Sequence, residues 1–245
     1  MILVYILIFT SAASILSLFG SLFLILRKKL TETFSSQIIN FAAGVLIATA
    51  FVDLLPEAME ATGNSNIFAP ALLGFVAFFF AERFIYWFHR HHEHGKTTST
   101  MLILVGDGVH NAIDGIAITA SFLTSIHLGI TTSFAVAAHE IPQEIADMGI
   151  LLAGGLSKTK AVFYNFLSAL TALAGAIIAY FFQDFIKANL YIFLSVTAGF
   201  FIYISASDLI PALHEKYLND KKLSSSFIFL SGILSVFIFT KMFEG

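Results

Sequence analysis

Residues 100–124 read TMLILVGDGVHNAIDGIAITASFLT. The run is long enough to cross a bilayer as a helix, which takes about 20 apolar residues. It nevertheless holds four acidic, imidazole or amide side chains, those of Asp107, His110, Asn111 and Asp114. Their spacing of i, i+3, i+4 and i+7 places all four on one face of a helix. Such groups are costly inside a membrane unless they are paired or face water, so they usually mark a substrate path.

A second polar stretch lies in the next apolar run. Residues 138–147 read AHEIPQEIAD, in which His139 and Gln143 are four residues apart, as are Glu140 and Glu144. The two pairs therefore lie on adjoining faces of a helix. Because only a short predicted loop joins the two runs, we expect antiparallel helices whose polar faces meet near the middle of the membrane.

The composition of the whole chain is that of a membrane protein. Of its 245 residues 58% are hydrophobic and 12% are charged, whereas about a quarter of a soluble domain is charged. The 13 Lys and Arg against 16 Asp and Glu leave no basic surface for nucleic acid. The chain has no cysteine, which excludes disulfides and thiolate metal sites. We therefore expect a lipid bilayer, and no nucleic acid, as its partner.

Eight apolar stretches are each long enough to span a bilayer as a helix. They are Ile2–Leu26, Ser36–Met59, Phe68–Phe88, Thr100–Thr124, Ile130–Leu156, Lys160–Phe182, Leu190–Leu213 and Ser225–Thr240. β-Barrel strands would instead show alternating segments of about 10 residues. We predict an all-α integral membrane protein with eight transmembrane helices in a single transmembrane domain, residues 1–245.

Basic residues predict the orientation of these helices. Ten of the thirteen Lys and Arg residues fall in the loops after the first, third, fifth and seventh predicted helices. The positive-inside rule places those loops in the cytoplasm and both termini outside it. We expect a multi-pass protein of the plasma (inner) membrane of a prokaryote.

Two segments of the chain share one motif. Residues 44–60 and 199–215 both fit G-x₈-D-L-x-P-x₃-E, which aligns Asp53 with Asp208. The copies lie five predicted helices apart, an odd number, so they run in opposite directions through the membrane. We predict an inverted repeat of helices 1–3 and 6–8 around a central pair, helices 4 and 5. Two unrelated proline-kinked helices are the alternative.

Three prolines each follow a candidate ligand by three residues. Each proline removes the helical donor of the carbonyl four residues earlier. The prolines are Pro56, Pro142 and Pro211, and the carbonyls belong to Val52, Ala138 and Ser207. Kinks and free carbonyls next to polar residues favour cation binding over simple packing.

The ligand types in the two polar stretches indicate a metal site. Two imidazoles, two amides and several carboxylates suit a divalent cation of borderline hardness such as Zn²⁺, Fe²⁺ or Mn²⁺. No Lys or Arg lies within these stretches to neutralise the carboxylates, so a bound cation or protons must do so. Taken singly, Asp107, Asp147 or Asn165 could equally be a hydrogen-bond partner between helices.

HNAIDG at residues 110–115 and HEIPQE at residues 139–144 resemble the paired signatures of the ZIP (Zrt-, Irt-like protein) divalent metal transporters. The likeness extends to the eight-helix plan, to DLIP at residues 208–211 and to a His-rich segment at residues 89–94. It implies one transporter domain that carries a divalent ion into the cytoplasm, zinc foremost, with iron, manganese or cadmium as further candidates. It also implies an elevator-like movement of helices 1, 4, 5 and 6 against helices 2, 3, 7 and 8, and a homodimer as a candidate assembly.

The resemblance further implies a binuclear metal site between helices 4 and 5. The first position would fall on His110, Asp114 and His139, and the second on Asn111, Asp114, Glu140 and Gln143, with Asp114 bridging and Glu144 as a nearby acidic partner. One branch of the family has a His at the position of Gln143, and many members have a His at the position of Asp53. Gln143 is a weaker, neutral ligand, so the occupancy of the second position is left open.

Further polar residues are candidates for the ion pathway. Asp53 and Asp208 are predicted as entrance and exit acids, or else as hydrogen-bond partners of the kinked backbone. The other pathway candidates are Asp107 and Asp147 within the spans and His89, His91, His92 and His94 in a cytoplasmic loop. The His cluster would collect released ions, with a merely solvated loop as the alternative.

Two other functions fit the sequence less well than transport. An intramembrane zinc-dependent hydrolase of the zincin type needs His-Glu-x-x-His, but here Gln143 replaces the second His and Pro142 interrupts the motif. A haem-binding electron carrier could use two facing imidazoles, but the neighbouring carboxylates would be hard to accommodate. We therefore predict a transporter and no enzyme.

Overall fold

The computed structural model of the chain describes residues 1–26, 31–62, 66–91, 96–153, 155–211 and 224–243. Every regular element in these residues is helical, which confirms the all-α prediction. The α-helices are α1 (Ile2–Leu26), α2 (Thr31–Ala48), α3 (Leu55–Thr62), α4 (Phe68–His91), α5 (Lys96–Thr124), α6 (Ile126–Ala153), α7 (Lys158–Phe181), α8 (Gln183–Ala188), α9 (Leu190–Ile204) and α10 (Ser224–Phe243). Two π-helical segments complete them, π1 (Thr49–Leu54) between α2 and α3, and π2 (Ser205–Leu209) after α9.

Five helical segments in this part of the chain are long and apolar enough to cross a membrane. They are Ile2–Phe19, Gln37–Thr62, Lys158–Phe181, Leu190–Ser207 and Ser225–Met242. The helices α5 and α6 have 29 and 28 residues, but they carry the acidic and imidazole groups, which lower their hydropathy. The chain is an all-α membrane protein, and eight crossings stay a prediction.

The helices pack as two bundles. One bundle contains α1, α5, α6 and α7, and the other contains α2, α3, α4, α9 and α10 with the two π segments. One apolar core runs through both, with Leu46 of α2, Phe122 of α5 and Phe201 of α9 buried in it. This division matches the two helix groups that the family resemblance implies.

Reciprocal glycine contacts fix three helix pairs. At each of six glycines an added Cβ would overlap a backbone carbonyl of the partner helix, so only glycine permits the observed approach. Between α2 and α10, Gly44 faces Phe229 and Gly232 faces Phe41. Between α4 and α9, Gly74 faces Val196 and Gly199 faces Ala71. Between α5 and α7, Gly115 faces Ala172 and Gly175 faces Ala112.

The packing has the symmetry expected of the predicted repeat. In the structure the predicted second helix comprises α2, π1 and α3, and the seventh comprises α9 and π2. The repeat relates predicted helices 1, 2 and 3 to helices 6, 7 and 8, and helix 4 to helix 5. It therefore relates the α2–α10 contact, between helices 2 and 8, to the α9–α4 contact, between helices 7 and 3. In the same way it relates the α1–α6 contact, between helices 1 and 5, to the α7–α5 contact, between helices 6 and 4. These four contacts are the most extensive among the described residues. The packing therefore supports the repeat.

The two motif copies also share one backbone deformation. The segments π1 and π2 each end two residues before a proline, Pro56 or Pro211. In each, a backbone N–H bonds to the carbonyl five residues earlier, from Leu55 to Ala50 and from Ile210 to Ser205. The prolines are thus accommodated by a widened helical turn. Pro142, by contrast, lies inside α6 without a π segment.

Some predicted boundaries are wrong. Residues 125–129 were expected to form a loop, but only Ser125 separates α5 from α6. Its hydroxyl accepts a hydrogen bond from the backbone N–H of Leu128 at 3.1 Å, which caps the start of α6. The helix α4 extends to His91, so His89 and His91 lie on a helix and not in the expected loop. The short helix α8 was not predicted.

Candidate metal centre

Two imidazoles and two carboxylates from α5 and α6 form one compact group. Ligand atoms of His110, Asp114, His139 and Glu140 all lie within 4.8 Å of one another. The two imidazole Nε2 atoms are 3.2 Å apart. Asp114 Oδ2 lies 3.2 Å from His139 Nε2 and 3.4 Å from His110 Nε2. Three ligand atoms therefore form a nearly equilateral triangle.

The edges of this triangle match a metal coordination sphere. Zinc bonds of roughly 2.0–2.1 Å place neighbouring tetrahedral ligands about 3.3 Å apart. Glu140 Oε1 lies 3.6 Å from His110 Nε2 and 3.9 Å from His139 Nε2, slightly beyond that separation. The arrangement can hold one ion on three ligands, with Glu140 within a small movement of the fourth place.

Local helix geometry explains how these side chains converge. His110 and Asp114 are four residues apart on one face of α5, while His139 and Glu140 are consecutive on α6. The Nδ1 atom of His139 lies 3.1 Å from the carbonyl oxygen of Ala135, one turn earlier. Because a carbonyl only accepts, Nδ1 carries the proton and leaves the lone pair of Nε2 directed into the group.

The group is buried at the junction of the two bundles. None of its four residues is more than 9% exposed. The His110 ring packs edge-on against Phe78 of α4, with ring centroids 5.3 Å apart, and the His139 ring packs similarly against Phe201 of α9 at 5.9 Å. The imidazoles of one bundle thus contact aromatic rings of the other.

A second polar layer lies one turn away on α5 and is centred on Asp107. Asn111 Nδ2 donates to both Oδ1 and the backbone carbonyl of Asp107, each at 3.1 Å. Gln143 Nε2 lies 3.5 Å from the same Oδ1. Since both amide nitrogens face this carboxylate, the amide oxygens of Asn111 and Gln143 are turned away from it.

A third helix also contributes to this layer. Asn165 of α7 donates a hydrogen bond from Nδ2 to Oε2 of Glu144, and both residues are fully buried. The sequence names Asn165 as a candidate hydrogen-bond partner between helices, but it does not pair Asn165 with Glu144, because a lone Asn in an apolar helix has no periodic partner to indicate its role.

Comparison with known proteins bears directly on this arrangement. The family model described as ZIP zinc transporter matches residues 1–101 and 89–240. The chain belongs to the ZIP family. The resemblance predicted from HNAIDG and HEIPQE is confirmed.

Several animal proteins are relatives of this ZIP chain. It is 40% identical over 119 residues to zinc transporter ZIP10 of Danio rerio, a match that covers 49% of the chain and 14% of the relative. It is 40% identical over 131 residues to metal cation symporter ZIP14 of Bos taurus, covering 54% and 26%. It is 36% identical over 127 residues to zinc transporter ZIP6 of Homo sapiens, covering 51% and 17%. The chain thus spans about a quarter or less of the length of these relatives.

The structure places the predicted site residues of this ZIP chain in two adjoining layers. His110, Asp114, His139 and Glu140 form the compact group, whereas Asn111, Gln143 and Glu144 contact Asp107 or Asn165. Glu140 was expected only at the second position, but it lies beside the two imidazoles of the first. Asp147, half-buried on α6, lies near Asp107.

The remaining pathway candidates lie apart from this group or outside the described residues. Asp53 is buried on π1 in the other bundle, where its Oδ1 accepts a hydrogen bond from the Thr240 hydroxyl of α10 at 2.8 Å. The backbone of Asp208 lies in π2, and its side chain is outside the described part. The same holds for the side chains of His89 and His91, while His92 and His94 are outside the described residues altogether.

Proposed function

We propose that this ZIP chain transports divalent metal ions, zinc foremost, across the membrane into the cytoplasm. The observation that carries the proposal is the buried triangle formed by His110, Asp114 and His139, whose 3.2–3.4 Å edges suit one coordinated ion. Iron, manganese and cadmium are further candidate substrates, since imidazole and carboxylate also bind them. Family membership and the printed names of the relatives, two zinc transporters and a metal cation symporter, support this function.

The two bundles suggest how access to the site alternates. All four residues of the compact group belong to the bundle of α1, α5, α6 and α7. Side-chain contacts to the other bundle at this level include aromatic packing, from Phe78 to His110 and from Phe201 to His139. Such contacts carry no directional bonds that sliding would break. We propose that the ligand-bearing bundle moves as a unit and carries the ion past these rings, with both termini of the chain outside the cytoplasm.

A second metal position beside the first is part of the proposal. It would use Asn111, Asp114, Glu140 and Gln143, with Asp114 bridging the two ions. The orientation of the amide groups supports it, because Asp107 accepts from both amide nitrogens and leaves their oxygens turned elsewhere. Glu140 would then be shared between the two positions.

Other parts of the proposal concern the surroundings of this domain. Large apolar side chains are exposed on the outer helices, as at Phe80 and Phe84 of α4 and Phe166 and Leu167 of α7, which suits contact with lipid. We propose that residues 1–245 form one transport domain with no enzymatic activity. We also propose that this domain forms homodimers. The His cluster at residues 89–94 would collect released ions. A prokaryotic plasma membrane stays a prediction that the animal relatives do not support.

Uptake into proteoliposomes tests the proposal. Labelled Zn²⁺, Fe²⁺, Mn²⁺ and Cd²⁺ are offered to the wild-type chain, to Asp114→Ala and to a control, Asp184→Ala, which changes an exposed acid on α8. We expect flux in the wild type and the control and none in Asp114→Ala. Absence of flux in the wild type would overturn the transport function, whereas equal flux in all three would overturn only the assigned site.

A further inference from the structure

Three buried side-chain oxygens accept no hydrogen bond of regular geometry from the described residues, although the Ser168 hydroxyl and the Asp147 carboxyl both lie beside Asp107. They are Oδ2 of Asp107 on α5, Oε1 of Glu144 on α6 and Oδ1 of Asn165 on α7. Asp107 is 5% exposed, and Glu144 and Asn165 are fully buried. A buried acceptor without a donor costs free energy, and most native proteins satisfy such atoms with a hydrogen bond, an ordered water or an ion.

These oxygens belong to one polar layer. Asn165 donates to the other carboxylate oxygen of Glu144. The residue before Glu144 is Gln143, and its Nε2 atom lies 3.5 Å from Oδ1 of Asp107. Asp107 and Glu144 are also close enough to interact electrostatically.

Two hydroxyl contacts fix α7 against α5 at the level of Asp107. The Ser168 hydroxyl lies 3.4 Å from the carbonyl oxygen of Leu104, and the Thr171 hydroxyl donates to that of Gly108 at 2.6 Å. These carbonyls come three residues before and one residue after Asp107. The polar parts of α5 and α7 are therefore held together on both sides of this carboxylate.

This layer adjoins the histidine site on one side. Asp107 precedes His110 by three residues on α5, and Glu144 follows Glu140 by four residues on α6. Compared with the histidine site, the layer thus lies about one helical turn, roughly 5 Å, closer to the cytoplasm. On that side lie Lys96, at the start of α5, and Ala153, at the end of α6, which are predicted to face the cytoplasm. All three helices belong to the bundle that carries the histidine site, so an ion can pass between the two layers without crossing to the other bundle.

The donor set of this layer differs from that of the histidine site. The three side chains offer two carboxylates and an amide oxygen, and Asp147 beside Asp107 adds a third carboxylate. None of these ligands is an imidazole, which suits a hard or partly hydrated divalent cation. No Lys or Arg occurs among residues 97–157, so neither α5 beyond its first residue nor α6 supplies a basic side chain to balance these carboxylates. A divalent cation would satisfy the three oxygens and the charge together.

We propose that Asp107, Glu144 and Asn165 form a further cation site, in addition to the two positions that share Asp114, which binds a divalent ion through oxygen ligands alone. It is separate from the position bridged by Asp114, because it uses none of that position's ligands. Its placement between the histidine site and the predicted cytoplasmic ends makes it the next stop for an ion that leaves the imidazoles. That direction rests on the proposed transport function, whereas the binding itself does not.

Binding of Mn²⁺ to the purified full-length chain in detergent tests this site. Equilibrium dialysis counts the ions, and electron spin-echo envelope modulation detects the ¹⁴N of coordinated imidazole. We expect three ions on the wild type, two at the positions that share Asp114 and one at this site. Glu144→Gln and, independently, Asn165→Leu are each expected to bind one ion fewer than the wild type and to keep the ¹⁴N signal, which also shows that each variant is folded. The double variant His110→Ala/His139→Ala is expected to lose the ¹⁴N signal and to keep the ion at this site.

The matched control is Asn40→Leu. Asn40 is a buried amide on α2 in the other bundle, 2% exposed, and its Oδ1 likewise accepts no hydrogen bond from the described residues. This variant is expected to bind as many ions as the wild type. A single ion on the wild type, or equal numbers of ions on the wild type, Glu144→Gln and Asn165→Leu, would overturn this site. Loss of an ion from Gln143→Leu but from neither of those variants would assign the ions beyond the first to the bridged position alone. Loss of an ion from Glu144→Gln and from Asn165→Leu, without uptake by the wild type into proteoliposomes, would refute transport and leave this site standing.

Discussion

The Nε2 atoms of His110 and His139 lie 3.2 Å apart although the two residues are 29 positions apart in the chain. Asp114 Oδ2 approaches both of them, which leaves room for one ion in contact with all three atoms. Removing either imidazole removes one corner of the triangle. The ion would then depend on two strong ligands and on Glu140.

Replacing His110 with Ala is expected to weaken Zn²⁺ binding by at least about tenfold. Loss of a residue that only supports a metal ligand already lowers metal affinity by about that factor, and loss of a ligand should cost more. Competition with a chelator of known affinity measures the change. The control is His127→Ala, which removes a ring that stacks on Phe239 at 5.7 Å. Equal losses in the two variants would contradict a specific role for His110.

Gln143→His is expected to tighten binding at the bridged position and to shift selectivity towards zinc, since imidazole is a better zinc ligand than an amide oxygen. The variant also removes the amide that lies 3.5 Å from Asp107. Competition between Zn²⁺ and Mn²⁺ in binding and uptake measures selectivity. If both affinity and selectivity stay at their wild-type values, Gln143 does not contact the metal.

Thr240→Val is expected to destabilise the bundle that contains π1, because it removes the hydroxyl that donates to buried Asp53. Leaving a buried acceptor without its donor costs about 1–3 kcal/mol. Thermal unfolding in detergent detects the lower midpoint. Ser231→Ala is the control on the same helix, since that exposed hydroxyl bonds only to Ile228 of its own helix. A midpoint for Thr240→Val no lower than that of the control would show that the contact is not stabilising.

Two glycines of α5 give a matched test of helix packing. A methyl group at Gly115 would overlap the backbone carbonyl of Ala172, whereas at Gly108 its nearest neighbour would be the Ser168 hydroxyl at 3.4 Å. Gly115→Ala is therefore expected to lower stability by about 1–3 kcal/mol, and Gly108→Ala to leave it nearly unchanged. Unfolding midpoints and yields of the two variants measure the difference. Similar midpoints would mean that α5 and α7 can separate at little cost.

Much of the candidate metal centre could be predicted from spacing along single helices. The i, i+4 relation of His110 to Asp114 and the adjacency of His139 and Glu140 follow from helical geometry. Their meeting across α5 and α6 follows from the short connection between two apolar runs. Helical periodicity, however, says nothing about contacts with a distant helix, and for this reason the partnership of Glu144 with Asn165 was missed.

Other features depended on packing that the sequence does not display. The positions of Pro56 and Pro211 predicted kinks, but the π turns before them depend on how the backbone relaxes between neighbouring helices. The limits of α1 were predicted correctly because its ends coincide with the ends of an apolar run. The start of α6 was missed because helical structure continues past the apolar stretch, through residues 126–129.

The single residue between α5 and α6 has a mechanical consequence. His110 lies 15 residues before Ser125 and His139 lies 14 residues after it, so the two imidazoles are at the ends of arms of nearly equal length. At a rise of 1.5 Å per residue each arm is about 22 Å long. With so short a connection the helices have little freedom to slide past each other, but a change of about 5° in their angle at Ser125 would separate the imidazoles by about 2 Å. An opening of that size at Ser125 would therefore be enough to move one imidazole out of bonding distance of an ion held by both.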